Sequence, residues 1–124
     1  MEEGGVLVVD DDHYMLELAT CFFESKGIDV HCAANGEEAL RKLRERAFLL
    51  MLTDFNMPGM DGLELAGKAR VIAPDMTVVM GTGDTSPEIA RLAAEAGIVR
   101  VFSKPFHIAK VLAMIRRAGK AVSP

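Results

Sequence analysis

Short apolar runs alternate with longer segments of helical periodicity along the chain, and this alternation constrains the fold more than any other feature. The strand-like segments fall at residues 6–9, 28–32, 48–53, 77–80 and 99–102, and in 28–32 apolar residues alternate with Asp29 and His31, as in a strand nearer a sheet edge. Each is followed by a segment whose apolar residues recur every three or four positions, as on one face of a helix. Five strand–helix units with short connections predict an α/β domain, in which helices cover both faces of a parallel sheet.

Capping residues mark where several of the helices begin and end. Asn35 is typical of an N-cap, and Glu38 follows at the position where a capping glutamate is favoured. Ser86 predicts the cap of a fourth helix whose first residue is Pro87, and Gly97 predicts the end of that helix. These signals mark the boundaries between helices and strands. The sequence contains no stretch typical of an internal linker.

Composition restricts the class of protein. The 124 residues, half of them hydrophobic, fit one domain. A net charge of −4 argues against direct binding of nucleic acid or of an anionic membrane. No apolar run approaches the roughly 18 residues that span a bilayer, and the acidic N-terminus is unlike a secretion signal. Cys21 and Cys32 lie outside any metal-binding spacing and are predicted to be buried, reduced thiols, so we expect a cytoplasmic protein.

Polar residues follow four of the five predicted strands at the point where each strand ends. They are Asp10, Asp11 and Asp12, then Asp54 and Asn56, then Thr82 and Gly83, and finally Ser103 and Lys104. Because the carboxyl ends of parallel strands meet at one edge of the sheet, these residues should converge there. Taken singly, each is more often a turn former or a helix cap. Taken together they predict a binding site, and the second strand, which carries none, is expected at an edge of the sheet.

The chemistry of this group favours a divalent cation and a phosphoryl group. Two of the carboxylates of Asp10, Asp11 and Asp54 at about 5 Å repel by roughly 3 kcal/mol at an effective dielectric constant near 20. A hard cation offsets that repulsion, and ligands that are all oxygen favour Mg²⁺ or Mn²⁺ over zinc. Lys104 and Thr82 are suited to the oxygens of a phosphoryl group. Asp54, at the end of a central strand, is the best candidate for a nucleophile.

Four blocks of the sequence resemble the receiver domain of bacterial response regulators. The blocks are VVDDD at residues 8–12, LTDFNMPGMDG at residues 52–62, Thr82, and FSKPF at residues 102–106. They follow the family's order over about residues 5–118. The resemblance implies a doubly wound, flavodoxin-like (βα)5 domain, a three-layer sandwich with strand order 2-1-3-4-5. Residues 1–124 would then be a single receiver domain with a tail or linker at residues 119–124.

The resemblance also implies the metal site and the phosphoacceptor. Asp54 is implied as the aspartate that a histidine kinase or a phosphotransfer protein phosphorylates. Asp11, Asp54 and the backbone oxygen of Asn56 are implied as ligands of Mg²⁺, and Asp10 is implied to act through water.

Further residues are implied to bind the phosphoryl group, namely Asn56, Thr82, Gly83 and Lys104. Among them, Lys104 is implied to pair with the group and Thr82 to move into a hydrogen bond with it, so both join Asp54 as catalytic residues. The family has a cis peptide bond before the proline that is Pro105 here. A bend at an X-Pro bond would direct Lys104 back towards the site.

One position departs from the family's pattern. The switch aromatic of the family falls three residues before the lysine, where this sequence has Val101. Phe102 follows the switch position by one residue, so its side chain should point to the opposite face of the strand. The phosphorylation chemistry is unaffected, but we expect the coupling between Thr82 and residue 101 to be weak or carried by another group.

The predicted function is a phosphorylation-activated switch of a two-component phosphorelay. Such a domain catalyses its own phosphoryl transfer and slow dephosphorylation without being an ordinary enzyme. Expected partners are the phosphodonor protein and a downstream protein or fused effector, because no output element is present in this sequence. The face formed by the fourth helix, the fifth strand and the fifth helix, residues 89–118, is expected to dock or to form a homodimer.

Two alternatives remain open. The first is a Mg²⁺-dependent phosphohydrolase with an N-terminal aspartate, Asp10, as nucleophile. The shortness of the chain and the residues His13 and Tyr14 disfavour it. The second is a degenerate receiver that acts only as a binding module, which the complete set of acids, threonine and lysine disfavours.

Overall fold

Five strands form one parallel sheet in the computed structural model, which describes residues 4–84, 86–104 and 108–122. The strands are β1 (Val6–Val9), β2 (Val30–Ala33), β3 (Leu50–Asp54), β4 (Thr77–Thr82) and β5 (Arg100–Ser103). Their order is β2-β1-β3-β4-β5. The predicted fold class and strand order are therefore confirmed, and β2 lies at an edge as its sequence indicated.

Five helices follow the strands in turn. They are α1 (His13–Ser25), α2 (Gly36–Glu45), α3 (Gly62–Ile72), α4 (Pro87–Glu95) and α5 (Ile108–Val122). The predicted caps of α2 and α4 are confirmed: the Asn35 side chain accepts from the Glu38 amide, and the Ser86 side chain accepts from the Ile89 amide. In the described part of the chain, no helix combines the length and the hydropathy needed to cross a bilayer.

The core consists of two hydrophobic layers on opposite faces of the sheet. The α2–α4 layer joins one face to α2, α3 and α4 and includes Leu65 and Ile89. The α1–α5 layer joins the other face to α1 and α5 and includes Phe23. Neighbouring residues of β5 divide between them, because side chains alternate along a strand: Val101 packs against the α2–α4 layer, and Phe102 is buried in the α1–α5 layer. Each layer shields one face of the sheet. Cys21 is exposed in α1 and Cys32 is half-buried in β2, so the prediction that both thiols are buried is wrong.

Gly62, the first residue of α3, lies against the end of β3. A Cβ at this position would overlap the main-chain oxygen of Asp54 and stand 3.0 Å from the Cα of Phe55. The Gly62 amide donates to the Phe55 carbonyl at 2.9 Å, so the contact is also a hydrogen bond. The absence of a side chain at Gly62 thus allows α3 to begin within contact distance of Asp54.

Candidate functional site

Three carboxylates come together at the carboxyl end of the sheet. β1 and β3 are neighbours in register, with Val9 opposite Thr53, so the residues that follow, Asp10 and Asp54, lie side by side. One oxygen of each of Asp10, Asp11 and Asp54 lies within 4.8 Å of the others. Asp10 and Asp54 are buried, at 3% and 6% exposure, whereas Asp11 is exposed. The cluster therefore has two buried carboxylates and a third that faces solvent.

Lys104 enters this cluster from the end of β5. Its Nζ lies 2.6 Å from Asp54 Oδ1 and 3.9 Å from Asp10 Oδ2. Its backbone amide donates to the Thr82 carbonyl at 3.0 Å, which fixes the start of the side chain beside the end of β4. The short contact to Asp54 is a charge-assisted hydrogen bond, and it offsets part of the repulsion among the carboxylates.

The remaining predicted residues lie around the cluster at different depths. Thr82 ends β4 and is 1% exposed, and its hydroxyl oxygen accepts from the Asp84 amide at 2.9 Å. Gly83 and Asn56 are exposed in the loops that follow β4 and β3. Pro105, for which a cis bond is predicted, lies outside the described residues. The structure thus brings Asp10, Asp11, Asp54 and Lys104 into one cluster, with Thr82 buried at the end of the adjoining strand.

Sequence reasoning missed Asp84 as part of this region. Besides donating its amide to Thr82, Asp84 accepts from the Ser86 amide at 2.9 Å through its carboxylate. An aspartate two residues before a capping serine is typical of a turn in which the side chain bonds the backbone, and that spacing was the available signal.

Burial raises the pKa of Asp10 above its ordinary value of 3.8. The neighbouring charge of Asp54 acts in the same direction, because two adjacent carboxylates disfavour each other's ionised form. The Asp12 amide, which donates to Asp10 Oδ1 at 3.0 Å, and the Lys104 ammonium both act to lower the pKa. The net effect is that ionised Asp10 is destabilised in the folded protein.

We expect Asp10→Asn to stabilise the metal-free protein at neutral pH, because a neutral amide avoids the cost of burying a charge beside Asp54. The amide keeps an oxygen for the Asp12 N–H but carries no charge. Because the folded state holds the proton of Asp10 more tightly than the unfolded chain, wild-type stability should fall as pH rises from 3.8 through the raised pKa. The difference in unfolding free energy between Asp10→Asn and wild type should therefore grow as the pH rises over that interval, and it should vanish at lower pH. Urea unfolding in EDTA at several pH values measures this.

Asp12→Asn is the matched control, because Asp12 is exposed and caps α1 through a side-chain oxygen that asparagine also has. Its unfolding free energy should stay within about 0.5 kcal/mol of wild type. Identical stabilities of Asp10→Asn and wild type at every pH would contradict the prediction.

Comparison with known proteins identifies the family. The model of the response regulator receiver domain matches residues 6–116. The response regulator receiver protein CpdR of Brucella abortus is 36% identical over 103 residues, which cover 83% of this chain and 86% of that protein. The transcriptional activator protein ExaE of Pseudomonas putida is 36% identical over 122 residues, 94% of this chain. The chain spans 56% of that relative's length.

Solved structures agree in fold. A response regulator receiver domain protein (CheY-like) from Methanospirillum hungatei JF-1 superposes with a TM-score of 0.85 at 32% identity, over 94% of this chain and 96% of that one. The receiver domain of the Francisella response regulator 1452 superposes with a TM-score of 0.88 at 27% identity, over 96% and 98%. Sequence and fold therefore lead to the same family.

Proposed function

Because this chain belongs to the response regulator receiver family of two-component signalling, we propose that it is a phosphorylation-controlled switch with Asp54 as the phosphoacceptor. The observation that carries the proposal is the contact of 2.6 Å between Lys104 Nζ and Asp54 Oδ1 inside the carboxylate cluster. Among the three carboxylates, Asp54 has the shortest contact with this cation. Incorporation of one phosphoryl group from a small acyl-phosphate donor, detected by intact mass, tests the proposal.

In the proposed reaction, a carboxylate oxygen of Asp54 attacks the phosphorus of a phosphohistidine on the donor protein. The new bond joins that oxygen to phosphorus, and the bond between phosphorus and the imidazole nitrogen breaks. The nitrogen leaves with the electron pair and takes a proton from solvent. Lys104 orients the carboxylate through Oδ1 and supplies positive charge to the transferred oxygens. Asn56, Thr82 and Gly83 are proposed to contact the same oxygens.

The carboxylate cluster fits a hard divalent cation. Asp10, Asp11 and Asp54 offer oxygen ligands only, and one atom from each lies within the span of a single ion. We propose Asp11, Asp54 and the backbone oxygen of Asn56 as direct ligands of Mg²⁺ or Mn²⁺, with Asp10 acting through water. When bound, the ion would neutralise charge on the transferred phosphoryl group.

Added Mg²⁺ should raise the thermal midpoint of the wild-type protein. A ligand that binds only the folded state at ten times its dissociation constant stabilises by about 1.4 kcal/mol, or about 5 °C for a domain of this size. Asp11→Asn should lose most of this shift, because it removes the exposed carboxylate of the cluster. Asp12→Asn, outside the cluster, should keep it. A shift of equal size in Asp11→Asn would count against the proposed ligand set.

The proposed partners are a histidine kinase or phosphotransfer protein as donor and a downstream protein or fused effector as receiver of the signal, all in the cytoplasm. The relative from Pseudomonas putida is named as a transcriptional activator. For docking or dimerisation of this chain we propose the face of α4, β5 and α5. The exposed side chains of Arg91, Val99 and Arg100 on this face mix charged and apolar surface. Such a mixture is typical of interfaces that form and dissociate.

A further inference from the structure

Three side-chain-to-backbone hydrogen bonds link Thr82 to the first turn of α4. The Asp84 amide donates to Thr82 Oγ1 at 2.9 Å, and the Ser86 amide donates to Asp84 Oδ1 at 2.9 Å. The Ile89 amide then donates to Ser86 Oγ at 3.3 Å. Ile89 is buried in the α2–α4 layer, so the series ends in the core. The hydroxyl of Thr82 is thereby connected to the position of the N-cap of α4.

The main chain of Thr82 is held in place by hydrogen bonds and strand pairing. Its carbonyl accepts from the Lys104 amide at 3.0 Å, and β4 pairs Thr82 with Ser103. A change in the hydroxyl's direction is therefore a rotation about the Cα–Cβ bond. Gly83, which follows, has no heavy atom within 4 Å of where a Cβ would stand, so the next step of the chain has room to adjust.

Residue 101 is poorly suited to transmit such a rotation. Val101 is half-buried against the α2–α4 layer. Its aliphatic side chain has no polar atom that could form a hydrogen bond with a hydroxyl group. A signal that begins at Thr82 is better carried by the hydrogen bonds of the loop.

Building on the proposed function, we infer that Asp84 is a positioning residue that couples occupancy of Asp54 to the first turn of α4. When the Thr82 hydroxyl turns to a phosphoryl oxygen, the Asp84 amide loses its acceptor. The bond that is lost is partly buried, so the loop rearranges to give the Asp84 amide another acceptor. The Asp84 carboxylate then releases the Ser86 amide, and the N-cap of α4 loosens. Coupling between two sites is reciprocal. If a phosphoryl group at Asp54 loosens the cap, the intact cap weakens binding of that group by the same free energy.

Amide hydrogen exchange at Ile89, measured by NMR on the full chain with Mg²⁺ and with or without beryllofluoride, tests this coupling. In the wild type, the adduct should speed exchange at Ile89 by about tenfold, within the usual range of coupling between sites. Phe23 in α1 is the reference amide and should not respond. The ¹⁹F signal of bound beryllofluoride, recorded for every protein, verifies the adduct.

Two substitutions at Asp84 separate coupling from simple loss of structure. In Asp84→Ala, Ile89 should exchange rapidly in both states, and its response to the adduct should fall below about twofold. The same variant should bind beryllofluoride up to about tenfold more tightly, because binding no longer disturbs α4. A merely structural role would leave affinity unchanged or weaken it. Asp84→Asn keeps a side-chain oxygen for Ser86 and should behave as wild type.

Two results would overturn the inference while leaving the phosphoacceptor assignment intact. One is an adduct in the wild type that leaves exchange at Ile89 unchanged. The other is an Asp84→Ala protein that responds as the wild type does. If the wild type forms no adduct, the proposed function itself fails and the coupling fails with it. Asp54→Asn, which should form no adduct and show no response at Ile89, identifies any effect of the salts alone.

Discussion

Asp54→Asn should reduce phosphoryl incorporation from about one group per chain to below detection. A neutral amide oxygen is a far weaker nucleophile than a carboxylate, and it cannot form the mixed anhydride. Asparagine keeps the shape of the side chain and an oxygen for Lys104, so the fold should be preserved. The measurement is intact mass after incubation with a small acyl-phosphate donor and Mg²⁺, with and without hydroxylamine, which cleaves acyl phosphates.

Asp10→Asn is the matched control for that experiment and also tests the phosphohydrolase alternative. Asp10 Oδ1 accepts from the Asp12 amide, and Lys104 lies 3.9 Å from Asp10 but 2.6 Å from Asp54. We therefore expect Asp10→Asn to slow incorporation without abolishing it. Steady hydrolysis of phosphate esters that is lost in Asp10→Asn and kept in Asp54→Asn would instead identify a phosphohydrolase. A wild type that takes up no phosphoryl group would favour the binding-module alternative.

Gly62→Ala should destabilise the protein by about 3 kcal/mol, the upper end of what overpacking a well-packed site usually costs. The added methyl group would clash with the Asp54 carbonyl and the Phe55 Cα. Both are backbone atoms, so a change of side-chain rotamer cannot relieve the clash. Relief requires α3 to move away from β3, which would also displace Asp54. Urea unfolding measures the loss of stability, and phosphoryl incorporation by the folded fraction measures the displacement.

Gly67→Ala is the control within the same helix. Gly67 lies in α3, and a Cβ there would have no heavy atom within 4 Å. Alanine favours the helix interior over glycine, so this variant should be more stable than wild type by about 0.5–1 kcal/mol. If Gly→Ala lowers the stability at residue 62 and raises it at residue 67, the close approach of residue 62 to β3 is responsible for the loss. A Gly62→Ala protein as stable as wild type would contradict this explanation.

Much of the architecture was predictable from the sequence because the strands are short, apolar and separated by clear caps. The ends of strands were less predictable, because hydrogen bonds to neighbouring elements decide them. β2 begins at Val30 and not at residue 28, since the Ile28 amide closes the end of α1 by donating to the Phe23 carbonyl. β4 continues two residues beyond the predicted 77–80, because Gly81 pairs with Asp54 and Thr82 pairs with Ser103.

The residues of the candidate site were predictable as a group, while their individual environments were not. Asp10 and Asp11 are adjacent in sequence, yet one is buried and the other exposed, because the chain leaves the sheet between them. The closeness of Lys104 to Asp54 depends on a long side chain that reaches across the end of β4. The contact of Gly62 with β3 depends on tertiary packing, and no composition or spacing rule specifies it.

The separation of Val101 and Phe102 between the two hydrophobic layers has an evolutionary consequence. Substitutions in α1 and α5 can be compensated within the α1–α5 layer, without repacking the side chains that support α4. Under the proposed function, the contribution of α5 to docking specificity can then change while α4 and the residues around Asp54 keep their packing. Divergence of partners and retention of the phosphotransfer machinery then become separable under selection.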